Sequence, residues 1–317
     1  MDFPNDVKDL IIIGGGPAGL TAGLYAVRDM LNVVLLEELA PGGQIAKTAV
    51  VENYPGFPEP VNGFELVNKV TTQAKNQGLV IDTARVLKLE FEEKSPIKTV
   101  ITDKDQYRAL SVIIATGARY RKLGIPGEKE FHGRGVSYCA TCDGMFFRGK
   151  DIAAVGGGDT ALKESLFLSR FVNKLTLIHR RDRLRGERKL QERLLSQPNV
   201  EVMWNSVLNE ITGGEAVEEL EVKNLVSNES SRIPVKGVFM FVGLIPNTEF
   251  LKEQLELTDR GYIVTDQAMG TSQNGVFAVG DARHKLLRQM VTACGEGATA
   301  AHAARLYVER LKGESYT

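Results

Sequence analysis

Cysteine is scarce in this chain, three residues in 317, so a fold stapled by disulfides is excluded. Met1-Asp-Phe-Pro-Asn-Asp6 lacks the basic start and apolar core of a signal segment, and a reducing, cytoplasmic setting is expected. Histidine is equally sparse: His132, His179, His284 and His302 form no spaced pair, and no metal site is expected. Charge of one sign is lacking too, with 39 Lys and Arg against 40 Asp and Glu, a net −1. That balance points away from nucleic acid or an anionic membrane surface as the main partner. One uncharged run, 10–27, reaches the length of a spanning helix, but five glycines and a proline interrupt it. No membrane association is expected.

Glycine, by contrast, is plentiful at 32 residues, and much of it stands in short clusters beside apolar runs. Leu10-Ile-Ile-Ile13 reads as a buried parallel strand, followed by Gly14-Gly-Gly16-Pro-Ala-Gly19 and a helical stretch over 20–27. This is Gly-x-Gly-x-x-Gly between a strand and a helix. Gly14, Gly16 and Gly19 permit the sharp turn, close approach to a pyrophosphate and tight helix packing, and the helix N-terminus attracts the phosphate. A second strand, 33–36, ends at Glu37, 23 residues after Gly14, where an acid can accept ribose hydroxyls.

The plan then recurs. Strand 152–155 leads into Gly156-Gly-Gly158-Asp159-Thr160-Ala161, a Gly-x-Gly-x-x-Ala turn, and a helical segment over 162–171. The next strand, 175–178, ends at His179, again 23 residues after the first glycine. Here Arg180, Arg181 and Arg185 replace the acid; such a cluster favours a ribose with a 2′-phosphate. The first copy therefore suits FAD and the second NADPH. A solvated basic face is the plainer reading of the arginines, but their place at the strand end is where the phosphate needs them.

Between the copies lies Val136-Ser-Tyr-Cys139-Ala-Thr-Cys142-Asp143. The Cys-x-x-Cys spacing serves either a reversible disulfide or half of a zinc site. No second ligand pair is present, which favours a redox dithiol, provided the chain can supply it with electrons. The third cysteine, Cys294, sits among small residues and reads as a buried packing thiol.

Elsewhere the pattern predicts a helix over 64–77 with Phe64, Leu66, Val67, Val70 and Ala74 as its apolar positions. A meander follows between 86 and 107, then a strand at 112–115, a helix over 189–195, strands completing a sandwich over 200–225 and a strand at 237–242. After Asn247 the chain is expected to return to the first domain, with a strand over 275–281 ending in Asp281 and a helix over 292–311. Asp281 could accept a polyol hydroxyl of the flavin cofactor; an exposed capping acid is the alternative.

Taken together, Gly14 to Gly19, Gly42-Gly-Gln44, Glu52-Asn53, Ala115-Thr116-Gly117-Ala118, Cys139 to Asp143, His179 to Asp182 with Arg185, Gly280-Asp281 and Arg288-Gln289 resemble the low-molecular-weight thioredoxin reductases. The resemblance implies an α/β fold of two Rossmann-like FAD/NAD(P)-binding domains, the second inserted into the first: 1–117 and 245–317 for FAD, 118–244 for NADPH and the dithiol. It implies a homodimer that reduces thioredoxin or a similar small disulfide protein, and no added N-terminal thioredoxin-like domain. Cys142 would then be the thiol nearest the flavin, Cys139 the one that attacks the protein disulfide, and Asp143 the acid–base group. Gln44, Asn53, Thr116, Gly117, Asp281, Arg288 and Gln289 would contact FAD; Gly156, Gly158, Asp159, Thr160, His179 and the three arginines would serve NADPH. Chain order, which puts the dithiol with the second turn, predicts a rotation of the inserted domain about hinges near 116–118 and 243–247. A flavin dithiol oxidase and a ferredoxin-fed reductase are alternatives that the arginines disfavour. A non-catalytic redox sensor is a third, separable by turnover.

Overall fold

The computed structural model describes residues 3–4, 6–48, 51–91, 95–251 and 253–314. In chain order the first segment holds β1 (Val7–Ile13), α1 (Pro17–Arg28), β2 (Val33–Glu37), α2 (Gly63–Asn76) and β3 (Val80–Thr83). It continues with β4 (Val86–Phe91), β5 (Lys98–Thr102), β6 (Gln106–Ile114) and β7 (Ala118–Tyr120). Next come β8 (Val136–Ser137), α3 (Ala140–Asp143), β9 (Asp151–Gly156), α4 (Asp159–Leu168), β10 (Lys174–Ile178) and α5 (Arg188–Leu195). Then follow β11 (Val200–Met203), β12 (Ser206–Gly213), β13 (Val217–Asn224), β14 (Ser230–Pro234), β15 (Gly237–Phe241), β16 (Leu244–Pro246), β17 (Val276–Ala278) and α6 (Met290–Lys312). The chain divides into two compact units, Met1–Arg119 with Ile245–Thr317, and Tyr120–Leu244.

In the first unit a seven-stranded sheet runs β3-β2-β1-β6-β5-β4, with β17 also paired to β6. The strands β3, β2, β1, β6 and β17 are parallel, while β4 and β5 form the antiparallel meander; residues 92–94 of the expected meander lie outside the described residues. The uninterrupted apolar run of β1 has a direct cause. Leu10 and Ile12 pack under the helices with Leu20, Leu35 and Val67, and Ile11 and Ile13 pack on the opposite face with Leu89, Val100 and Ile263. A strand covered on both faces has no polar side to present, and each such side chain contributes about 1.5–3 kcal/mol of burial.

The helices follow local rules. α1 starts at Pro17, three residues before the expected 20–27, because proline is pre-set for the first turn. In α2, Asn62 caps the N-terminus by accepting from Phe64 and Glu65 N–H groups, at 2.9 and 3.3 Å. Leu66, Val67 and Ala74 are buried, but Phe64 points outward, since its place in the first turn falls off the inner stripe. α6 crosses α1 in near backbone contact: a Cβ on Gly297 would collide with the carbonyl of Ala18.

The second unit is built on a five-stranded parallel sheet, β11-β10-β9-β15-β8, with a separate antiparallel sheet β12-β13-β14. The expected sandwich over 200–225 is thus divided. Its first strand pairs with β10 from Leu175↔Val200 to Ile178↔Met203, and only the remainder joins the small sheet. The polar β14 (Ser230–Pro234) completes that sheet without an apolar pattern of its own. The expected strand over 275–281 shortens to β17, because Gly280–Ala282 turns as a 3₁₀ helix. Where the chain passes between units, β7 and β16 pair with each other. Thr116 Oγ1 donates to the Asn247 carbonyl, and Asn247 Nδ2 to that of Thr116, both at 2.8 Å.

Candidate functional site

The first glycine turn is closed by backbone. Gly14 takes a φ of +105°, its N–H donates to Leu36 O at 2.8 Å, and a Cβ on Gly19 would strike the Gly14 carbonyl. Glu37 folds back over the turn: Oε2 accepts from Gly15 N–H at 2.6 Å and Oε1 from Leu39 N–H at 3.1 Å. A carboxylate offers about four acceptor sites, so two remain for hydroxyl groups. A Cβ on Gly16 would meet only open space, and no side chain caps α1 there.

The second turn has the same opening at Gly158, again with no side-chain cap on α4. Its support differs. The His179 ring is buried under Gly157, where any Cβ would collide with the imidazole. Nδ1 stands 2.7 Å from Gly156 O and Nε2 2.9 Å from Arg183 O. Both ring nitrogens face backbone, so the ring of His179 braces the turn. Asp159 likewise accepts from Glu187 N–H at 2.6 Å, while Arg185 N–H donates to Gly157 O at 2.7 Å. These bonds bring Arg185 beside the turn. Arg180, Arg181, Arg185 and Thr160 are exposed.

A second cluster in the first unit surrounds Asp281. Lys285 Nζ lies 3.4 Å from Asp281 and 3.3 Å from Glu296; Glu296 also pairs with Arg283 at 3.0 Å and accepts from Gly280 N–H at 2.8 Å. Burial raises the Asp281 carboxyl above its ordinary pKa, against the pull of Lys285 and Arg288. Arg288 covers the Tyr262 ring at 4.3 Å, and its Nε is buried without a partner. Asn53 Nδ2 donates to Gln289 Oε1 at 3.1 Å, joining the first and last segments, and Gln289 caps α6. Gln44 donates to the carbonyl of Ala118, and Gly280 packs on Ala18 at the start of α1. Arg283, Lys285 and Glu296 escaped the sequence reading; a Gly-Glu-Gly run in a small-residue helix was the available signal. Cys294 is half-buried rather than enclosed, with Tyr54 Oη 3.7 Å from its sulfur and Pro17 O 3.9 Å away.

At the dithiol, Cys139 and Cys142 are joined in a disulfide across the one-turn helix α3. Among the described residues, no group of three or more His, Cys, Asp or Glu is placed so that it could hold a metal ion. Burial raises the Asp143 carboxyl above its ordinary pKa, opposed by the Ser137 hydroxyl and by His132. On the far side of α3, Glu164 of α4 accepts from Ala140 N–H, and burial raises its carboxyl too. Tyr138, next to Cys139, donates to the buried Glu128 at 2.8 Å, and Glu128 also accepts from Leu123 and Gly124 N–H.

The family of pyridine nucleotide-disulphide oxidoreductases matches residues 8–297. A thioredoxin reductase of Listeria innocua is 46% identical over 309 residues, 96% of this chain and 95% of its own. One from Treponema pallidum is 44% identical over 304 residues, 96% and 98% of the two chains. The crystal structure of a thioredoxin reductase from Streptococcus pyogenes, 43% identical, superposes with a TM-score of 0.91 over 97% of this chain and 100% of that one.

Proposed function

The chain belongs to the pyridine nucleotide-disulphide oxidoreductases, and from that premise we infer that it is a thioredoxin reductase carrying FAD and drawing on NADPH. The observation that carries the reading is the Cys139–Cys142 disulfide, set in a chain with two glycine turns of opposite chemical support. Both turns fit a dinucleotide: each has an open face at its third glycine and an uncapped helix behind it, where N–H groups await a phosphate. For FAD, Gly14, Gly16, Gly19 and Glu37 would hold the pyrophosphate and ribose. Asp281, Gln44, Asn53, Thr116, Gly117, Arg288 and Gln289 would line the remainder. The unpartnered Nε of Arg288 is a donor that such an anionic group would satisfy. For NADPH, Gly156 and Gly158 with Thr160 would face the pyrophosphate, and Arg180, Arg181 and Arg185 the 2′-phosphate. When bound, the nucleotides supply hydride and electron-pair transfer, which no side chain of the protein can perform.

The protein's own part is the dithiol. Cys142 is proposed to receive the electron pair, Cys139 to attack the disulfide of thioredoxin, and Asp143 to exchange the proton with the released thiolate. A carboxyl raised by burial is suited to that role, since it gives up its proton closer to neutrality. The domain limits 1–117, 118–244 and 245–317 and a homodimer belong to the same reading and rest on the resemblance, while a cytoplasmic setting and the absence of nucleic-acid and membrane partners rest on the cysteine content, the charge balance and the glycine-broken apolar run. No helix among the described residues is long and apolar enough to cross a membrane.

The test is NADPH oxidation by the purified yellow protein with thioredoxin, and insulin as the final disulfide. Sustained turnover that requires both cysteines is expected. A single stoichiometric oxidation would mean a sensor, and turnover with reduced ferredoxin alone a different electron donor. Sedimentation at several concentrations tests the dimer.

A further inference from the structure

Ser137 stands at the end of β8, 4% exposed, with its hydroxyl at the centre of three contacts. It donates to Asp143 Oδ2 at 2.6 Å and accepts from Cys139 N–H at 3.2 Å, while Cys139 O lies 3.4 Å away. A hydroxyl has one donor and two acceptor positions. With Asp143 ionised, the donor goes to its carboxylate and one lone pair takes Cys139 N–H. With Asp143 protonated, the carboxyl can donate to the second lone pair, and the serine proton turns to the Cys139 carbonyl. Every group keeps a partner in both states.

We propose that Ser137 is the positioning residue through which Asp143 changes its protonation state in a part-buried site, and through which that change is coupled to the backbone of Cys139. The proposal rests on the reading of Asp143 as the acid–base group of the dithiol. The step is a proton transfer: the Asp143 carboxyl and a thiolate released from the Cys139–Cys142 pair become a carboxylate and a thiol, with no net gain or loss. An alanine in place of Ser137 would leave Cys139 N–H without its acceptor and the carboxylate without its donor, so the ionised form is the one that suffers. Two other titratable groups face this helix. His132, on the turn ahead of β8, favours the carboxylate, and Glu164, on α4, is bound to Ala140 N–H at the opposite end. Neither contacts the serine hydroxyl, so the two protonation states of Asp143 meet at Ser137.

The experiment reduces the disulfide of the purified flavoprotein with dithiothreitol, without NADPH or thioredoxin. The rate per dithiothreitol thiolate is followed from pH 5 to 9 by alkylation and mass. In the parent protein that rate is expected to fall as Asp143 loses its proton. Ser137→Ala is expected to move the midpoint to higher pH, Ser137→Thr to restore it, and Asp143→Asn to abolish the dependence with or without Ser137→Ala. A midpoint unmoved by Ser137→Ala, or a shift that persists in the Asp143→Asn background, overturns the proposal. Should Ser137→Ala not fold, Ser137→Thr against Ser137→Val, alike in shape and different in the hydroxyl, reads the same difference. Because neither nucleotide reduction nor thioredoxin enters, failure here is distinct from failure of the reductase reading, which appears as absent NADPH turnover.

Discussion

The two glycine turns share a plan and invert its chemistry. In each, the residue 23 positions after the first glycine comes off the end of a parallel strand and reaches back to the turn. In the first turn it is Glu37, an acceptor holding the N–H of Gly15; in the second it is His179, facing the carbonyl of Gly156. The strand end is therefore a brace for the turn before it is a ligand-reading position. An acid brace has spare lone pairs that a bare ribose could use, whereas both nitrogens of the imidazole face backbone carbonyls, so in the proposed reading recognition falls to the exposed arginines beside it.

The comparison breaks most visibly at the sixth position of the motif, glycine in one copy and alanine in the other. Gly19→Ala drives a methyl into the Gly14 carbonyl, so the protein is expected to purify without flavin absorbance and to lose about 3 kcal/mol of stability, the upper end for overpacking. The reciprocal change, Ala161→Gly, should cost only about 1 kcal/mol of helix stability and keep the flavin. Next in size, Arg180→Ala with Arg181→Ala should lower kcat/KM for NADPH by about 2–4 kcal/mol, roughly 30- to 1,000-fold, and leave NADH nearly unaffected. Equal losses for both nucleotides would show that the arginines do not read the 2′-phosphate.

Gly157→Ala sharpens the contrast between brace and reader. Displacing the imidazole should weaken NADPH and NADH alike by about 1–3 kcal/mol with normal flavin content, a pattern the arginine variants cannot produce. Glu37→Gln keeps one acceptor oxygen where two are in use, and flavin retention in urea should fall by about 1 kcal/mol. The smallest effect is one of pH. Asp143 has a raised pKa in the fold, so its contribution is present at acid pH and is lost as pH rises through the folded value. Asp143→Asn should therefore gain thermal stability relative to the parent at pH 8 and none at pH 4, while losing turnover.

Both βαβ copies were legible in the sequence because apolar runs, glycine spacing and strand-end residues are local signals. The direction in which His179 points was not, since it depends on the missing Cβ of Gly157 in a neighbouring element. For the same reason the cluster of Arg283, Lys285 and Glu296 went unread: its members meet only where the turn at 280–282 is laid against α6. Ser137 is hidden among ordinary residues, as a hydrogen bond across six positions has no period to betray it. β14 lacks apolar alternation because it closes a small sheet at its edge.

The split of the first unit also sets an order in time. A ribosome delivers the chain from its N-terminus, and domains fold as units when their residues become available. The parallel sheet of the inserted unit is complete once Phe241 has emerged. The other sheet, begun at Val7, waits for Val276 to cover the free edge of β6, and α1 waits for α6 to cover its face. Newly made chains are thus expected to carry a finished inserted unit alongside an unfinished one, with an edge of β6 open to chaperones or to mispairing until Val276 arrives.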